Sequence, residues 1–547
     1  MKTHEWLAQA LQAEGVDTVF GYIAEENQNL MVRVAHAGFS VVQTRHEQAA
    51  TGMADGYARA SGKLGVCIVG QGPGVAQTGT SLVTISKQGS SVLLLVPTPS
   101  PLEHHALKRF RQTQYLESTL GRVVTVERVE GLADDLQSAL RQARSGPVAL
   151  QIPSDLLDGE IRLSPYAPVD SRPAASPAGP PEDVLEEIAG VLLAVDRPPI
   201  ILAGAGAVKA DAKGELIKLA ERTGSLLGTT IQANGLFFGH PRNLGVVGSL
   251  GSDLATEIVS QAQCVLAVGC SLNPHTTYGG GLLKEAKVIQ IDASTEHIGA
   301  MTPVDLGVVG DARQIICALN MLLDRLELAP EQLPSSRKLW IENTVERIAT
   351  TPRLQDEPAS EMPGRLDPRD VIRRLDQVLP DDRVAIIDGG HFMRWAVDGL
   401  TIRHPRDFLW TADFASIGQG LAVAAGAALD RRAQHCVCIA GDGGFSMSIH
   451  ELSTLSCYRI PITIIVWNDG TLGSEYHNLA NEGQPVSLAV ISNPEFAKVA
   501  AAFGARGLTV SRLEELDALP EMLEADDGLP LIVDIKINPD VRHRTKQ

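Results

Sequence analysis

Three doubly wound α/β domains are the fold this sequence predicts, and three observations predict it. Short, continuous apolar runs rich in β-branched residues recur along the 547-residue chain, with longer helical patterns between them. Glycine or acidic residues follow many of these runs. Two proline-rich composition shifts cut the chain into three blocks, each near the usual domain size of about 100–200 residues.

The runs carry the strand assignment. In the first block they are 40–44, 66–69, 92–96 and 148–152. In the second they are 200–202, 264–268 and 288–291, and in the third 384–387, 436–439, 462–466 and 532–535. A run that is apolar at every position suits a strand covered on both faces, as in a parallel sheet. The composition shifts at 164–181 and 352–368 read as linkers. The expected domains are therefore 1–165, 182–335 and 366–547. Ligands of open α/β sheets bind at the carboxyl ends of strands, so the turns there are where chemistry is sought.

Composition narrows the function classes. The chain is 44% hydrophobic and 20% charged, with a formal net charge of −18. That balance argues against nucleic acid and anionic membranes as partners. The seven cysteines are odd in number and contain no CxxC pair, which speaks against a disulfide framework or a zinc site. The first residues lack a signal-peptide apolar core, and no apolar run approaches the roughly 20 residues a membrane span needs. A cytoplasmic protein is the expectation.

The strongest motif lies in the third block. The apolar run ending at Ala440 leads into Gly441-Asp442-Gly443-Gly444-Phe445, and a helical stretch is expected at 450–456. The next run ends in Trp467-Asn468-Asp469-Gly470. A carboxylate and an amide oxygen at two strand ends can meet on one hard cation such as Mg²⁺, which takes oxygen ligands and holds phosphates. The glycines would let a diphosphate approach the backbone, and a helix start after Gly444 would offer N–H groups. Gly-Asp-Gly alone is a common capped turn; its pairing with Asn-Asp-Gly is what carries information. In the first block, the run at 40–44 leads into Arg45-His46-Glu47-Gln48-Ala49-Ala50 and then a helical pattern.

Together these motifs resemble those of the thiamine-diphosphate enzymes, and the Arg45–Ala50 segment is similar to that of the acetolactate synthase group. The resemblance covers nearly the whole chain. It implies a pyrimidine-binding domain, a middle Rossmann-like domain and a diphosphate-binding domain, in that order. It also implies Mg²⁺ on Asp442, Asn468 and the Gly470 carbonyl, with Gly441, Gly443, Gly444 and Gly72 near the cofactor. Glu47 would hydrogen-bond the aminopyrimidine N1′ and promote the tautomer that activates the thiazolium C2. In the family that glutamate serves a cofactor held mainly by the other subunit. A homodimer is thus the implied minimum, and a tetramer is allowed.

Further matches and departures follow from the same resemblance. Phe414-Ala415-Ser416-Ile417-Gly418 is similar to the loop whose apolar residue, here Ile417, bends the cofactor. Asp388-Gly389-Gly390-His391 resembles a loop that contacts the diphosphate, which makes His391 a candidate. Gly204-Ala205-Gly206-Ala207 is only a weak dinucleotide motif; some acetolactate synthases bind FAD in this domain, but here FAD is not indicated. The substrate-pocket candidates depart from the acetolactate synthase pattern. They are Glu25 in Tyr22-Ile23-Ala24-Glu25-Glu26-Asn27, His104 and His105, Gln112 in Phe110-Arg111-Gln112, and Leu472 and His477 in the segment after Gly470. Two acids at 25 and 26 would disfavour an anionic substrate, or would bind a cation or sugar hydroxyls.

The implied activity is that of a transferase or lyase acting on a small 2-oxo acid or acyloin, with an acetolactate synthase-like carboligase as the leading reading. A 2-oxo-acid decarboxylase, an acyloin or aldehyde lyase, a thiamine-dependent oxidase, an acyl-CoA lyase and a non-catalytic relative stay open.

Overall fold

The apolar runs become strands in a computed structural model of the chain. It describes all residues except 101, 104, 163–164, 170–178, 329, 355–361, 431–434, 526 and 544–547. Much of both proline-rich stretches falls among these exceptions.

Three six-stranded parallel sheets form, with helices against their faces. The first contains β1 (Thr18–Gly21), β2 (Ser40–Gln43), β3 (Gly65–Ile68), β4 (Val92–Thr98), β5 (Val123–Thr125) and β6 (Val148–Pro153). Its order is β2-β1-β3-β4-β6-β5. The second contains β7 (Ile200–Ala203), β8 (Leu226–Thr229), β9 (Asn243–Val246), β10 (Cys264–Val268), β11 (Lys287–Asp292) and β12 (Leu306–Val309). Its order is β12-β11-β10-β7-β8-β9, with the reversal between β10 and β7 typical of doubly wound sheets. The third contains β13 (Arg383–Ile387), β14 (Phe408–Trp410), β15 (His435–Gly441), β16 (Ile462–Asn468), β17 (Arg506–Val510) and β18 (Leu531–Lys536). Its order is β14-β13-β15-β16-β18-β17.

Every run in the sequence maps onto a strand. The strands that the runs do not mark are β1, β5, β8, β9, β12, β14 and β17. Five of these (β5, β9, β12, β14 and β17) lie at sheet edges. An edge strand is covered less, so it need not be apolar throughout; β17 alternates between covered and exposed positions.

The chain divides into two compact units. One comprises Met1–Ser171, Ala359–Met393 and Leu409–Arg542, and the other Arg172–Pro358, Arg394–Phe408 and His543–Gln547. The first and third sheets belong to the first unit and share one apolar core, which runs from Phe20 and Met53 to Phe445 and Ile532. At its centre cross two helices, α1 (Glu47–Ser61) and α2 (Gly420–Ala428). Glycine makes the crossing possible. A Cβ on Gly56 would lie 1.9 Å from the Val423 carbonyl oxygen, and one on Gly426 would lie 1.9 Å from that of Met53. The two backbones therefore touch. The second unit carries its own cores on both faces of the middle sheet. Among the described residues, no helix is long and apolar enough to cross a membrane.

The crossing predicts a contrast between two glycines. Gly56→Ala should destabilise the protein by about 3 kcal/mol or more, because neither backbone can give way. Gly190→Ala, in the helix Glu182–Ala194 with nothing within 4 Å of its Cβ, should stabilise by about 0.5–1 kcal/mol. Urea denaturation of both variants measures the difference.

Candidate active site

The Gly-Asp-Gly and Asn-Asp-Gly segments meet because their strands are neighbours. β15 and β16 pair in parallel with Gly441 opposite Trp467, so Asp442 and Asn468 leave the sheet side by side. A helix, α3 (Asp442–Ser448), starts at the aspartate itself. The sequence places that start after Gly444. The turn is tighter because the Gly443 N–H donates to the Asp442 Oδ1 at 2.8 Å. The stretch expected at 450–456 forms a short 3₁₀ turn, Ile449–Glu451, and a helix, Leu452–Tyr458.

The Asp442 carboxylate is buried, and its Oδ2 accepts the Gly470 N–H at 2.8 Å and the Asn493 amide at 2.6 Å. Gly470 adopts φ +74°, a left-handed conformation that favours glycine. Its carbonyl accepts the Ile491 N–H at 2.9 Å, which leaves one lone pair for another partner. The Asn468 Nδ2 donates to Asp534 on β18 at 2.8 Å, which fixes its Oδ1 on the side of the Asn493 amide, 3.3 Å away. Burial, with a smaller push from Asp469, raises the Asp442 carboxyl to about 7. A carboxylate so placed gains if a cation joins it. One carboxylate, one amide oxygen and one peptide oxygen suit a hard cation that brings further oxygens with its ligand. Among the described residues there is no group of three His, Cys, Asp or Glu side chains that could hold a metal without such help.

Asn493 is a member of this cluster that the sequence does not mark. It lies 25 residues beyond Asn468, in a loop that follows the short apolar run 488–491 but carries no glycine motif. Asp388 is a second case. The sequence marks its segment for His391, yet the aspartate does the structural work. Its buried carboxylate accepts the backbone N–H groups of Gly418, Gln419 and Gly420 at 2.8, 3.1 and 3.0 Å. The loop bearing Ile417 is thereby tied to the end of β13. A Cβ on Gly444 would lie 3.5 Å from the Ile417 Cβ, so the isoleucine sits beside the Asp442 turn.

His391 and His477 also come together, with ring centroids 4.4 Å apart. His477 is buried, and burial lowers its pKa, which favours the neutral imidazole. Leu472 reaches the same turn; its Cδ2 would lie 3.1 Å from a Cβ on Gly443. The third sheet thus gathers Ile417, His391, Leu472, His477, Gly441, Asp442, Gly443, Gly444, Asn468 and Gly470 at its carboxyl edge.

Glu47, Gly72 and Gln112 gather instead around the loop after β3. Glu47 opens α1, whose N-cap is the His46 imidazole accepting the Gln48 N–H at 3.1 Å. The segment before it is held from the third-sheet side. The Arg45 N–H donates at 2.9 Å to Glu451, a fully buried acid 406 residues away. Such a pairing has no local sequence mark. The Glu47 Oε1 lies 3.4 Å from the Cβ position of Gly74. Gly72 has φ +64° and a Cβ position 2.5 Å from the Lys108 carbonyl oxygen. Gln112 accepts the Gly72 N–H at 2.9 Å and donates to the Pro97 carbonyl and the Gln151 Oε1 at 3.0 and 3.1 Å. All these bonds are internal, so the glutamine holds the loop in place.

Glu25 is exposed, whereas the neighbouring Glu26 turns inward and forms an ion pair with Lys108. The negative charge expected there is therefore half cancelled. His105 is exposed, and His104 lies outside the described residues. In the middle domain, Cβ atoms on Gly204 and Gly206 would fall 2.2 Å from the Gly269 oxygen and 2.7 Å from its Cα. Glycine there serves close packing of two loops, and this feature gives no indication of FAD.

Comparison with known proteins gives matches in all three blocks. Residues 1–115 match the thiamine pyrophosphate enzyme N-terminal TPP binding domain, 185–319 the central domain and 388–535 the C-terminal TPP binding domain. The chain is 30% identical to a probable acetolactate synthase large subunit of Methanocaldococcus jannaschii, over 98% of this chain and 92% of that protein. It is 28% identical to a sulfoacetaldehyde acetyltransferase of Castellaniella defragrans, over 96% and 91% of the two chains.

The buried Asp442 predicts a pH effect on stability. Its folded pKa, about 7, lies above the ordinary carboxylate value of 3.8, so the folded state binds the proton more tightly. Its contribution is present at low pH and lost as pH rises from about 4 to about 7. In EDTA, urea midpoints of the wild type should show a falling component over that range that Asp442→Asn lacks.

Proposed function

This chain belongs to the thiamine pyrophosphate enzymes, and from that premise we propose that it is a Mg²⁺-dependent carboligase of acetolactate synthase type acting on a 2-oxo acid. The observation that carries the reading is the convergence of Asp442, Asn468 and Gly470 on a buried, charge-deficient point between β15 and β16. Residues 1–165, 182–335 and 366–547 are the proposed pyrimidine-binding, middle and diphosphate-binding domains. A homodimer is the proposed minimum assembly.

Thiamine diphosphate, when bound, supplies an acidic carbon at its thiazolium C2 that adds to carbonyl carbons. The chain's own residues do the rest. The Asp442 carboxylate, the Asn468 Oδ1 and the Gly470 carbonyl hold the cation, and Asp534 keeps the asparagine oriented. Gly441, Gly443 and Gly444 let Phe392, Leu472 and Asp388 pack close to this turn, whose backbone would meet the diphosphate, with His391 as a further candidate contact. Ile417, on the loop that Asp388 holds, would support the bent cofactor. Glu47 would hydrogen-bond the aminopyrimidine nitrogen and promote the tautomer that activates C2. The paired His391 and His477 favour a second reading, a 2-oxo-acid decarboxylase or acyloin lyase, in which a neutral imidazole relays a proton to the product.

Two measurements test these readings. With thiamine diphosphate, Mg²⁺ and pyruvate, the carboligase reading expects acetolactate, and Glu47→Gln should lose about 100-fold or more in rate. Acetaldehyde alone would select the second reading. Pyruvate untouched by the cofactor-loaded enzyme would sink both for this substrate. Independently of activity, Mn²⁺ binding followed by electron paramagnetic resonance should weaken about 100-fold in Asp442→Ala and about tenfold in Asn493→Ala. Unchanged Mn²⁺ affinity in Asp442→Ala would remove the cation site from Asp442.

A further inference from the structure

The loops after β1 and β3 hold a polar group that the cofactor chemistry does not use. The two strands are parallel neighbours, with Gly21 opposite Ile68, so their loops leave the sheet together. From the first comes Glu26, whose side chain is only 10% exposed. From the second comes Gln71, also buried. The Glu26 Oε1 accepts from Lys108 and, at 3.4 Å, from the Gln71 Nε2. That contact sets the glutamine's orientation. The Glu26 Oε2 and the Gln71 Oε1 are both buried and have no hydrogen-bond partner among the described residues.

Two unpaired buried acceptors side by side are costly unless a donor meets them. Their position says where such a donor comes from. The Glu26 Oε2 lies 3.7 Å from the Cβ position of Gly70, and the Glu47 Oε1 lies 3.4 Å from that of Gly74, four residues on in the short helix Pro73–Ala76 that follows the loop. The acceptors therefore flank the loop that carries the proposed reaction site. Their charge setting says what kind of donor fits. Lys108 already balances Glu26, and a second cation there would meet the Lys108 ammonium. A neutral donor, a hydroxyl, avoids that repulsion. We propose that Glu26 and Gln71 recognise a hydroxyl group of the substrate, so that the preferred substrate is a hydroxylated carbonyl compound rather than pyruvate or an unsubstituted aldehyde. This rests on the cofactor reading above and names the substrate class of that same site.

Matched pairs that differ by one hydroxyl test it: hydroxypyruvate against pyruvate, and glycolaldehyde against acetaldehyde. The enzyme is loaded with thiamine diphosphate and Mg²⁺, and cofactor binding is confirmed by calorimetry. The hydroxylated member of at least one pair should lead by about tenfold or more in kcat/KM, since a site built for a hydroxyl rejects the analogue lacking it. Glu26→Leu and Gln71→Leu should each bring that ratio toward one, and Glu26→Gln should restore part of it. Calorimetric titration of the same pairs into loaded Glu47→Gln reads the preference as binding, free of turnover. Equal or reversed preference, a ratio unmoved in Glu26→Leu, or no binding of any of the four compounds overturns the proposal. If the cofactor itself fails to bind, the underlying reading falls with it; if it binds and the pairs are not discriminated, this inference alone falls.

Discussion

The backbone contact between α1 and α2 is the constraint on which the rest of the first unit depends. Gly52, Gly56 and Gly426 remove the side chains that would hold the helices apart, and Ala422 and Val423 fill what is left. The contact fixes the helices along their axes as well as across them. That matters because each helix begins at a residue of interest: Glu47 opens α1, and Ile417 stands three residues before α2. Polar ties at the same ends reinforce the register. The Arg45 N–H reaches Glu451, and the Gln88 side chain donates to the Trp410 carbonyl at 2.8 Å. A dense, glycine-mediated crossing at the centre of a shared core has little room to breathe, and the two helix starts inherit that rigidity.

Around this centre the chain buries several carboxylates and treats them differently. Asp388 meets three consecutive backbone N–H groups and serves as a clamp. Asp534 is met by the Asn468 amide, the Phe496 N–H and the Lys536 ammonium, and serves as an orienter. Glu451 is met by a backbone N–H and the Thr454 hydroxyl. Asp442 has hydrogen bonds but, among the described residues, no ion pair, and a second acid adjoins it. Folding tolerates that arrangement at a cost in stability, the usual mark of a position kept for a ligand. Glu26 differs again, with its charge met by Lys108 and one oxygen left over.

What could be read from the sequence follows the range of the interactions. Most interior strands announce themselves as apolar runs because both faces are covered; β1 and β8, which end in glycine and threonine, do not. Edge strands such as β17 do not, because only one face is. Asp442, Asn468 and Gly470 were legible because strand ends and glycine turns are local features, and adjacency of β15 and β16 brings them together. Asn493, Glu451 and the clamp made by Asp388 were not, because each works through a partner 25 to 406 residues away. The choice between Glu25 and Glu26 turned on which way a loop side chain points, which no spacing encodes. Gln112 stood out in the sequence as a pocket candidate, but its observed bonds hold the fold.

The measurement that tests the account most directly is hydrogen–deuterium exchange at C2 of bound thiamine diphosphate, followed by quenched-flow NMR in the wild type and in Glu47→Gln. The account predicts fast exchange in the wild type and a loss of about 100-fold or more in the variant, with cofactor affinity largely kept. Equally fast exchange in the variant would contradict it, because Glu47 would then have no part in activating the cofactor.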